Sequence, residues 1–359
     1  MKNLIYILIC SIGLFSCSES PVDTVFFDFT GNRGVYIINQ GNFMYGNSSL
    51  SFYDPTTKRV VNQVFQARNG APLGDVAQSM SIWNNLGFVV VNNSGKIYIV
   101  DSSTAEYKGS ITGLSSPRYI HFVNSQKAYV TDLYSRKITI FDPTTFLVTG
   151  EIPVGNSKSE FSQHSTEKMI QYRNLVFTNC WSYDNKILII DTNTDQLIDS
   201  IEVLKQPNSL AIDKDNKIWV LTDGGFDGSP YGFERPGLIK IDAETREIER
   251  SFRFALGEHP LSLCLNAGKD SLFFLNRHVW KMAASDKKLP EKPFIISENT
   301  NLYGGFYSLA IDPSNSEIYV GDAIDHAQNG MVRRYAPSGK LVDEFKVGIS
   351  PGGFAFKFD

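Results

Sequence analysis

The chain has 359 residues, 42% of them hydrophobic and 13% aromatic, with a formal net charge of −4. That apolar share is ordinary for a folded chain, and the aromatic share suits strands that pack face on face. With no Lys/Arg run and a net negative charge, the composition argues against a nucleic-acid binder.

The first 16 residues form a targeting segment. Lys2 supplies the charged start, Leu4 to Phe15 is apolar, and the stretch is too short for a spanning helix. Leu14-Phe15-Ser16-Cys17 follows, with the spacing of a bacterial lipobox, so Cys17 is expected to be lipidated and to become the first mature residue. The alternative is ordinary signal-peptidase cleavage, with Cys17 a bystander. Residues 17–30 then read as a lipid-anchored linker. No later apolar run is long enough to cross a membrane.

From residue 31 onward the chain repeats about every 40 residues. One unit runs Ser116-Pro117-Arg118-Tyr119-Ile120, Ala128-Tyr129-Val130-Thr131-Asp132, Ile138-Thr139-Ile140-Phe141-Asp142, then Val148 to Val154. Four short alternating strands per period of this length predict a β-propeller blade. The innermost strands are expected at Ser79–Ile82, Pro117–Phe122, Glu167–Tyr172, Pro207–Asp213, Pro260–Leu265, Tyr307–Ile311 and Pro351–Phe356. The second strands are Val35–Asn39, Phe88–Asn92, Ala128–Asp132, Leu175–Asn179, Ile218–Asp223, Leu272–Asn276 and Ile318–Asp322. Polar turns opening on Asp54, Asp101, Asp142, Asp191 and Asp242 separate the two outer strands, because Asp bonds the backbone that follows it. The sixth unit lacks this chemistry in Met282–Pro293.

The first unit has no innermost strand, and Pro351–Phe356 is an innermost strand with nothing after it. Joining them gives an all-β, seven-bladed β-propeller whose first blade is closed by the C-terminal strand, so that no sheet edge is left open at the seam. The alternatives are an open solenoid or a pair of sandwiches. Of the cysteines, Cys180 and Cys264 fall in different blades and read as free buried thiols.

Alternating strand direction puts the short hairpins on one face and the long loops on the other. The long segments are 40–49, 67–78, 155–166, 224–237, 298–305 and 323–330, and long loops in a compact fold are usually functional. They carry Phe43, Met44 and Tyr45, Trp181 and Tyr183, Phe226, Tyr231 and Phe233, and Tyr303. Such rings either offer rigid contact area to a ligand or staple the loops down. Second strands end in Asn39, Asn92, Asp132, Asn179, Asn276 and Asp322, with Asp223 one place on in the fifth blade. These read either as a polar ring around a binding mouth or as plain strand terminators. His278 and His326 follow second strands and could reach the same mouth.

No His or Cys pair stands at metal-ligand spacing, and no nucleophile elbow, phosphate loop or EF-hand is present, so neither a metal nor a catalytic group is assigned.

The unit Ala128-Tyr129-Val130-Thr131-Asp132…Ile138-Thr139-Ile140-Phe141-Asp142-Pro143…Ile152-Pro153-Val154-Gly155, behind a lipobox, resembles the YncE-like repeat family. Nearly the whole mature chain is similar to surface lipoproteins of the DUF5074 type, including BtuG-like cobalamin-capturing members. The resemblance implies a non-enzymatic, outer-membrane, lipid-anchored protein facing the exterior. It would capture cobalamin or a related corrinoid and pass it to a TonB-dependent outer-membrane transporter. A ring of Asn and Asp suits the amide arms of a corrinoid, and rim aromatics suit its apolar faces. Two other readings stay open. One is a surface protein-interaction or structural propeller; the other is a propeller lyase or hydrolase acting through Asp132, His278 or His326.

Overall fold

The computed structural model describes residues 28–29, 33–299 and 305–358. The expected signal peptide, Cys17, the start of the linker and Tyr303 lie outside them.

Strands β1 (Gly34–Asn39), β2 (Ser49–Asp54) and β3 (Arg59–Val61) begin the first sheet, and helix α1 (Val64–Asn69) follows. The second sheet is β4 (Ala77–Trp83), β5 (Leu86–Val91), β6 (Lys96–Asp101) and β7 (Tyr107–Ile111). The third is β8 (Pro117–Asn124), β9 (Lys127–Asp132), β10 (Lys137–Phe141) and β11 (Val148–Pro153). The fourth is β12 (Thr166–Tyr172), β13 (Leu175–Cys180), β14 (Lys186–Asp191) and β15 (Gln196–Glu202). The fifth is β16 (Pro207–Ile212), β17 (Lys217–Thr222), β18 (Gly237–Asp242) and β19 (Ile248–Arg253). The sixth has three strands, β20 (Leu261–Leu265), β21 (Ser271–Asn276) and β22 (His278–Ala283). The seventh is β23 (Ser308–Ile311), β24 (Ile318–Asp322), β25 (Asn329–Tyr335) and β26 (Leu341–Ile349). The last strand, β27 (Pro351–Lys357), returns to the first sheet and pairs antiparallel with β1, Val35 opposite Phe356 and Ile37 opposite Phe354.

The seven innermost strands touch in a closed circle: β4 meets β8, and so on through β23, which meets β27, which meets β4. The seven-bladed, C-terminally closed propeller is therefore the fold of this protein. Its second strands are buried on both faces because a neighbouring blade covers each; all six residues of β1 are buried. That is why they read as unbroken apolar runs, whereas the outermost β15 is mostly exposed. The core consists of apolar layers between blades, such as Phe88, Val90, Ile97, Ala128 and Phe141 between the second and third. Polar anchors are built into it. The buried Trp219 donates its Nε1 proton to Asp213 Oδ2 at 2.8 Å. Tyr36 donates to the Ser102 carbonyl of the next blade at 2.7 Å.

The outer turns use the expected Asp. Asp101 Oδ1 accepts from the N–H groups of Ser103 and Thr104 at 2.8 and 3.0 Å, and Asp54 does the same with Thr56 and Thr57. Hydrogen bonding from Thr144 holds the Asp142 carboxyl below its usual range. The residue four places after each Asp is left-handed: Lys58, Ala105, Phe146, Asp195 and Arg246. In the last four the N–H of that residue returns to the Asp carbonyl, as from Ala105 to Asp101 at 2.8 Å.

Three features depart from expectation. Among the described residues the sixth blade has no outermost strand; a bridge between Val279 and Ile295 and the Phe294 N–H on the Val279 carbonyl support β22 instead. Pro260 stands just ahead of β20 rather than inside it. Helix α1 occupies part of a segment read as loop, because Val64 and Phe65 bury themselves in the core between the first two blades. Both cysteines are free, but Cys264 is only half-buried. No described helix is long and apolar enough to cross a membrane.

Candidate functional site

The elaborated face opens into a cavity of about 310 Å³ on the propeller axis. Its wall is made by the beginnings of the innermost strands: Gln78, Arg118, Glu167 with Lys168, Asn208, Leu261 with Ser262, and Gly352, joined by Tyr307 just ahead of β23. Several of these follow the strand-opening residue directly (Pro117-Arg118, Pro207-Asn208, Pro351-Gly352), so each blade aims one side chain or backbone group at the same point.

Charge is unevenly distributed there. Arg118 Nε donates to Glu167 Oε1 at 2.8 Å, and its Nη1 donates to Gln78 Oε1 at 2.7 Å. The amide of Gln78 in turn donates to the Tyr119 hydroxyl at 3.1 Å. Burial pushes the Glu167 carboxyl up, while Arg118 and, less strongly, Lys168 pull it back. Lys168 Nζ lies 5.7 Å from the centre of the Tyr119 ring and forms no ion pair among the described residues. Two cations thus face the mouth against one carboxylate, leaving one positive charge for a ligand. Opposite them Tyr307, its phenol pushed up by burial, donates to Gln40 Oε1 at 2.5 Å.

Of the described residues nominated from sequence, only Trp181 lines this cavity. Its indole N–H donates to Asp223 Oδ2 at 2.8 Å, tying the fourth blade to the fifth. Gln206 Nε2 and the Gly225 N–H also bond Asp223, whose carboxyl is pushed up by burial.

Most of the strand-end Asn and Asp residues are placed inside the fold rather than in the cavity wall. Asn39, Asp132, Asn179 and Asp322 are buried and engaged in structural bonds. Asn179 Nδ2 donates to the Pro207 carbonyl of the next blade at 2.6 Å, and Asn92 Nδ2 reaches Ser116 Oγ and the Pro117 carbonyl. Asp132 accepts four backbone N–H groups, from Ser115, Ser116, Tyr134 and Ser135. Asn39 bonds Ser49 and Ser51, and Asp322 takes the Ile324 N–H and Arg333. Asn276 is half-buried at the end of β21, where its backbone carbonyl accepts the Trp280 indole proton. Asn92 and Asn179 thus join one blade to the next, the others hold strands and turns of their own blade, and the side-chain oxygens of Asn39 and Asn179 are buried without a hydrogen-bond partner among the described residues.

The aromatic loops divide into two sectors. Tyr183 and Tyr231 meet with centroids 4.2 Å apart, and Phe161, which sequence reading overlooked, stacks on Tyr183 at 5.4 Å. Tyr231 also donates to Glu160 at 2.9 Å. This group joins three loops, with Phe226 exposed and Phe233 half-buried on the last of them. Phe43, Met44 and Tyr45 stand apart on the first blade, 65–78% exposed. The histidines are held structurally. His278 Nδ1 accepts the Ser297 N–H at 3.0 Å, and its pKa is lowered by burial. His326 bonds Ser350 Oγ and packs edge-on against Tyr307.

Solved structures of low identity share the fold. A quinonprotein alcohol dehydrogenase-like protein from Bacteroides thetaiotaomicron is 16% identical, with TM-score 0.68 over 92% of this chain and 79% of that one. Apo AztD from Citrobacter koseri is 11% identical, with TM-score 0.58 over 90% and 98%. Hydrazine synthase from Kuenenia stuttgartiensis is 14% identical, with TM-score 0.56 over 77% and 88%. At these identities the likeness is one of fold. No curated protein matches. Residues 33–349 match the family described as "Domain of unknown function (DUF5074)", and the chain belongs to that family.

Proposed function

We propose that the protein is a non-enzymatic ligand-capture propeller, anchored to the outer membrane through Cys17, that binds a corrinoid such as cobalamin and passes it to a TonB-dependent transporter. The observation that carries the reading is the axial mouth, where seven strands converge on a preformed polar cavity with one surplus positive charge beside a stacked aromatic rim. A cavity of about 310 Å³ is at the small end of ligand sites, about 300–1,000 Å³. A corrin macrocycle is too wide to enter it. The ring would lie across the mouth against Tyr183, Tyr231 and Trp181, with a phosphate or amide arm reaching Arg118, Lys168 and Asn208. A rigid ligand on a rigid scaffold loses little freedom on binding, which favours tight capture. Because the second-strand Asn and Asp lie outside the cavity wall, the polar contacts in this reading fall to the innermost strands.

The test is direct. Purified protein mixed with cyanocobalamin and desalted should emerge red at one vitamin per chain, and Lys168→Ala should weaken binding about tenfold or more. Colourless protein overturns the corrinoid reading. The exposure of Phe43, Met44 and Tyr45 favours a second role for that sector as the contact for a partner polypeptide. Phe43→Ser/Tyr45→Ser should then lose the partner and keep the vitamin.

A further inference from the structure

Beside the mouth, on the fourth blade, three side chains of different chemistry converge. His164 comes from the loop ahead of β12, Cys180 is the last residue of β13, and Asp184 lies in the loop that follows. One ligand atom from each lies within 4.8 Å of the others, the one such His/Cys/Asp/Glu group among the described residues. His164 Nδ1 and Asp184 Oδ2 are 2.6 Å apart, with both side chains nearly buried, and Cys180 is fully buried. We infer that His164, Cys180 and Asp184 form a binding site for one divalent transition-metal ion of the Zn²⁺ type.

The donor set selects the metal. A thiolate and an imidazole favour Zn²⁺ or Co²⁺ over Mg²⁺ or Ca²⁺, which require oxygen ligands. Three protein ligands leave the fourth tetrahedral position to water or another donor. Metal–ligand distances of about 2.0–2.3 Å put tetrahedral ligand atoms roughly 3.3–3.8 Å apart, so binding must open the 2.6 Å His164–Asp184 contact by small side-chain rotations.

The proton balance is simple. The Cys180 thiol loses its proton to solvent as the S–metal bond forms. Before metal binding His164 donates its Nδ1 proton to Asp184; on binding, that proton leaves to solvent while Nε2 takes one up, so the neutral ring presents its Nδ1 lone pair to the metal. Asp184 exchanges a hydrogen bond to His164 for the metal.

The surroundings are already ordered. Asp184 Oδ1 accepts the Asn185 N–H at 2.7 Å, its backbone N–H donates to the Trp181 carbonyl, and the His164 N–H donates to the Val154 carbonyl. Because the ligands sit on the two loops that carry Phe161 and Tyr183, a bound ion would clamp the aromatic rim beside the mouth. Neither loop alone contains a metal motif, so the sequence shows only a histidine and a Cys-x-x-x-Asp sixteen residues later.

The experiment is titration of the purified full chain with Co²⁺, then displacement by Zn²⁺. We expect a thiolate-to-Co²⁺ charge-transfer band in the near ultraviolet that saturates at one ion per chain and is abolished by Zn²⁺, with a melting temperature that rises with free Zn²⁺. Cys180→Ala should abolish the band, while Cys17→Ser and Cys264→Ser should keep it. If Cys180→Ala does not fold, Asp184→Asn and His164→Asn serve instead, and each should weaken Co²⁺ binding about tenfold or more. A wild-type chain with no band at millimolar Co²⁺ overturns the inference, as does a band that survives Cys180→Ala or is unmoved in both other variants. The optical signature does not involve the vitamin, so it succeeds or fails independently of corrinoid capture.

Discussion

Arg118→Met isolates a buried charge at the centre of the molecule. The Arg118 and Glu167 side chains are 15% and 4% exposed and 2.8 Å apart, so solvent can do little to rescue either if the other is removed. Loss of one partner of such a pair costs about 3–5 kcal/mol. Burial already pushes the Glu167 carboxyl up, and removing the guanidinium takes away the main group that pulls it back. The sign of the pH dependence follows. In the variant the folded-state pKa lies above the unfolded value of about 4.3. Below that value the carboxyl is neutral in both states and no charge penalty exists. As pH rises through the folded-state pKa, stability is lost. Urea unfolding should therefore show a deficit of about 3 kcal/mol or more at pH 8, part of which returns at pH 5. The Arg118→Met/Glu167→Gln double variant, which removes the charge altogether, should recover much of it and show little pH dependence. A deficit under about 1 kcal/mol, the range of a solvated surface pair, would refute the buried-pair argument, as would the same deficit at both pH values.

Three further outcomes are expected. Removing residues 351–359 takes the innermost strand from the first blade, so the cooperative thermal transition should be lost or shifted strongly downward; unchanged calorimetry would contradict ring closure. Trp219→Ala should cost about 3–5 kcal/mol in urea unfolding, because the indole is fully buried, while Asp213 keeps its bonds from the N–H groups of Asp215 and Lys217. Tyr183→Ala should leave the melting temperature nearly unchanged and raise the dissociation constant for cyanocobalamin about tenfold; equal binding by both proteins would remove the aromatic rim from the site.

The fold was legible where local chemistry and tertiary demand agree. Second strands such as Gly34–Asn39 must satisfy two neighbouring blades and so are apolar throughout, and the turn aspartates satisfy their own backbone. The sixth blade was faint because its outer turn has no such residue, and there the structure also lacks a strand. The site was less visible. Arg118, Glu167, Lys168 and Asn208 come together only through the angle at which blades meet, and each is a polar residue in a sequence full of them. Strand-end Asn and Asp residues do not disclose their partners in the sequence. Asn179 looks the same in sequence whether it bonds a ligand or the Pro207 carbonyl. The one usable signal was the residue after a strand-opening proline, which recurs at Arg118, Asn208 and Gly352.

Strand β1 is synthesised about 300 residues before its inner neighbour, which begins at residue 351. While the chain grows, β1 therefore carries an unsatisfied edge that can recruit foreign strands. A ribosome stopping just before residue 351 releases a product whose first sheet lacks its inner strand, with no way to lock the blades into a circle. For this molecule, manufacture is all or nothing, and a premature stop late in the message should be as damaging as one near its middle.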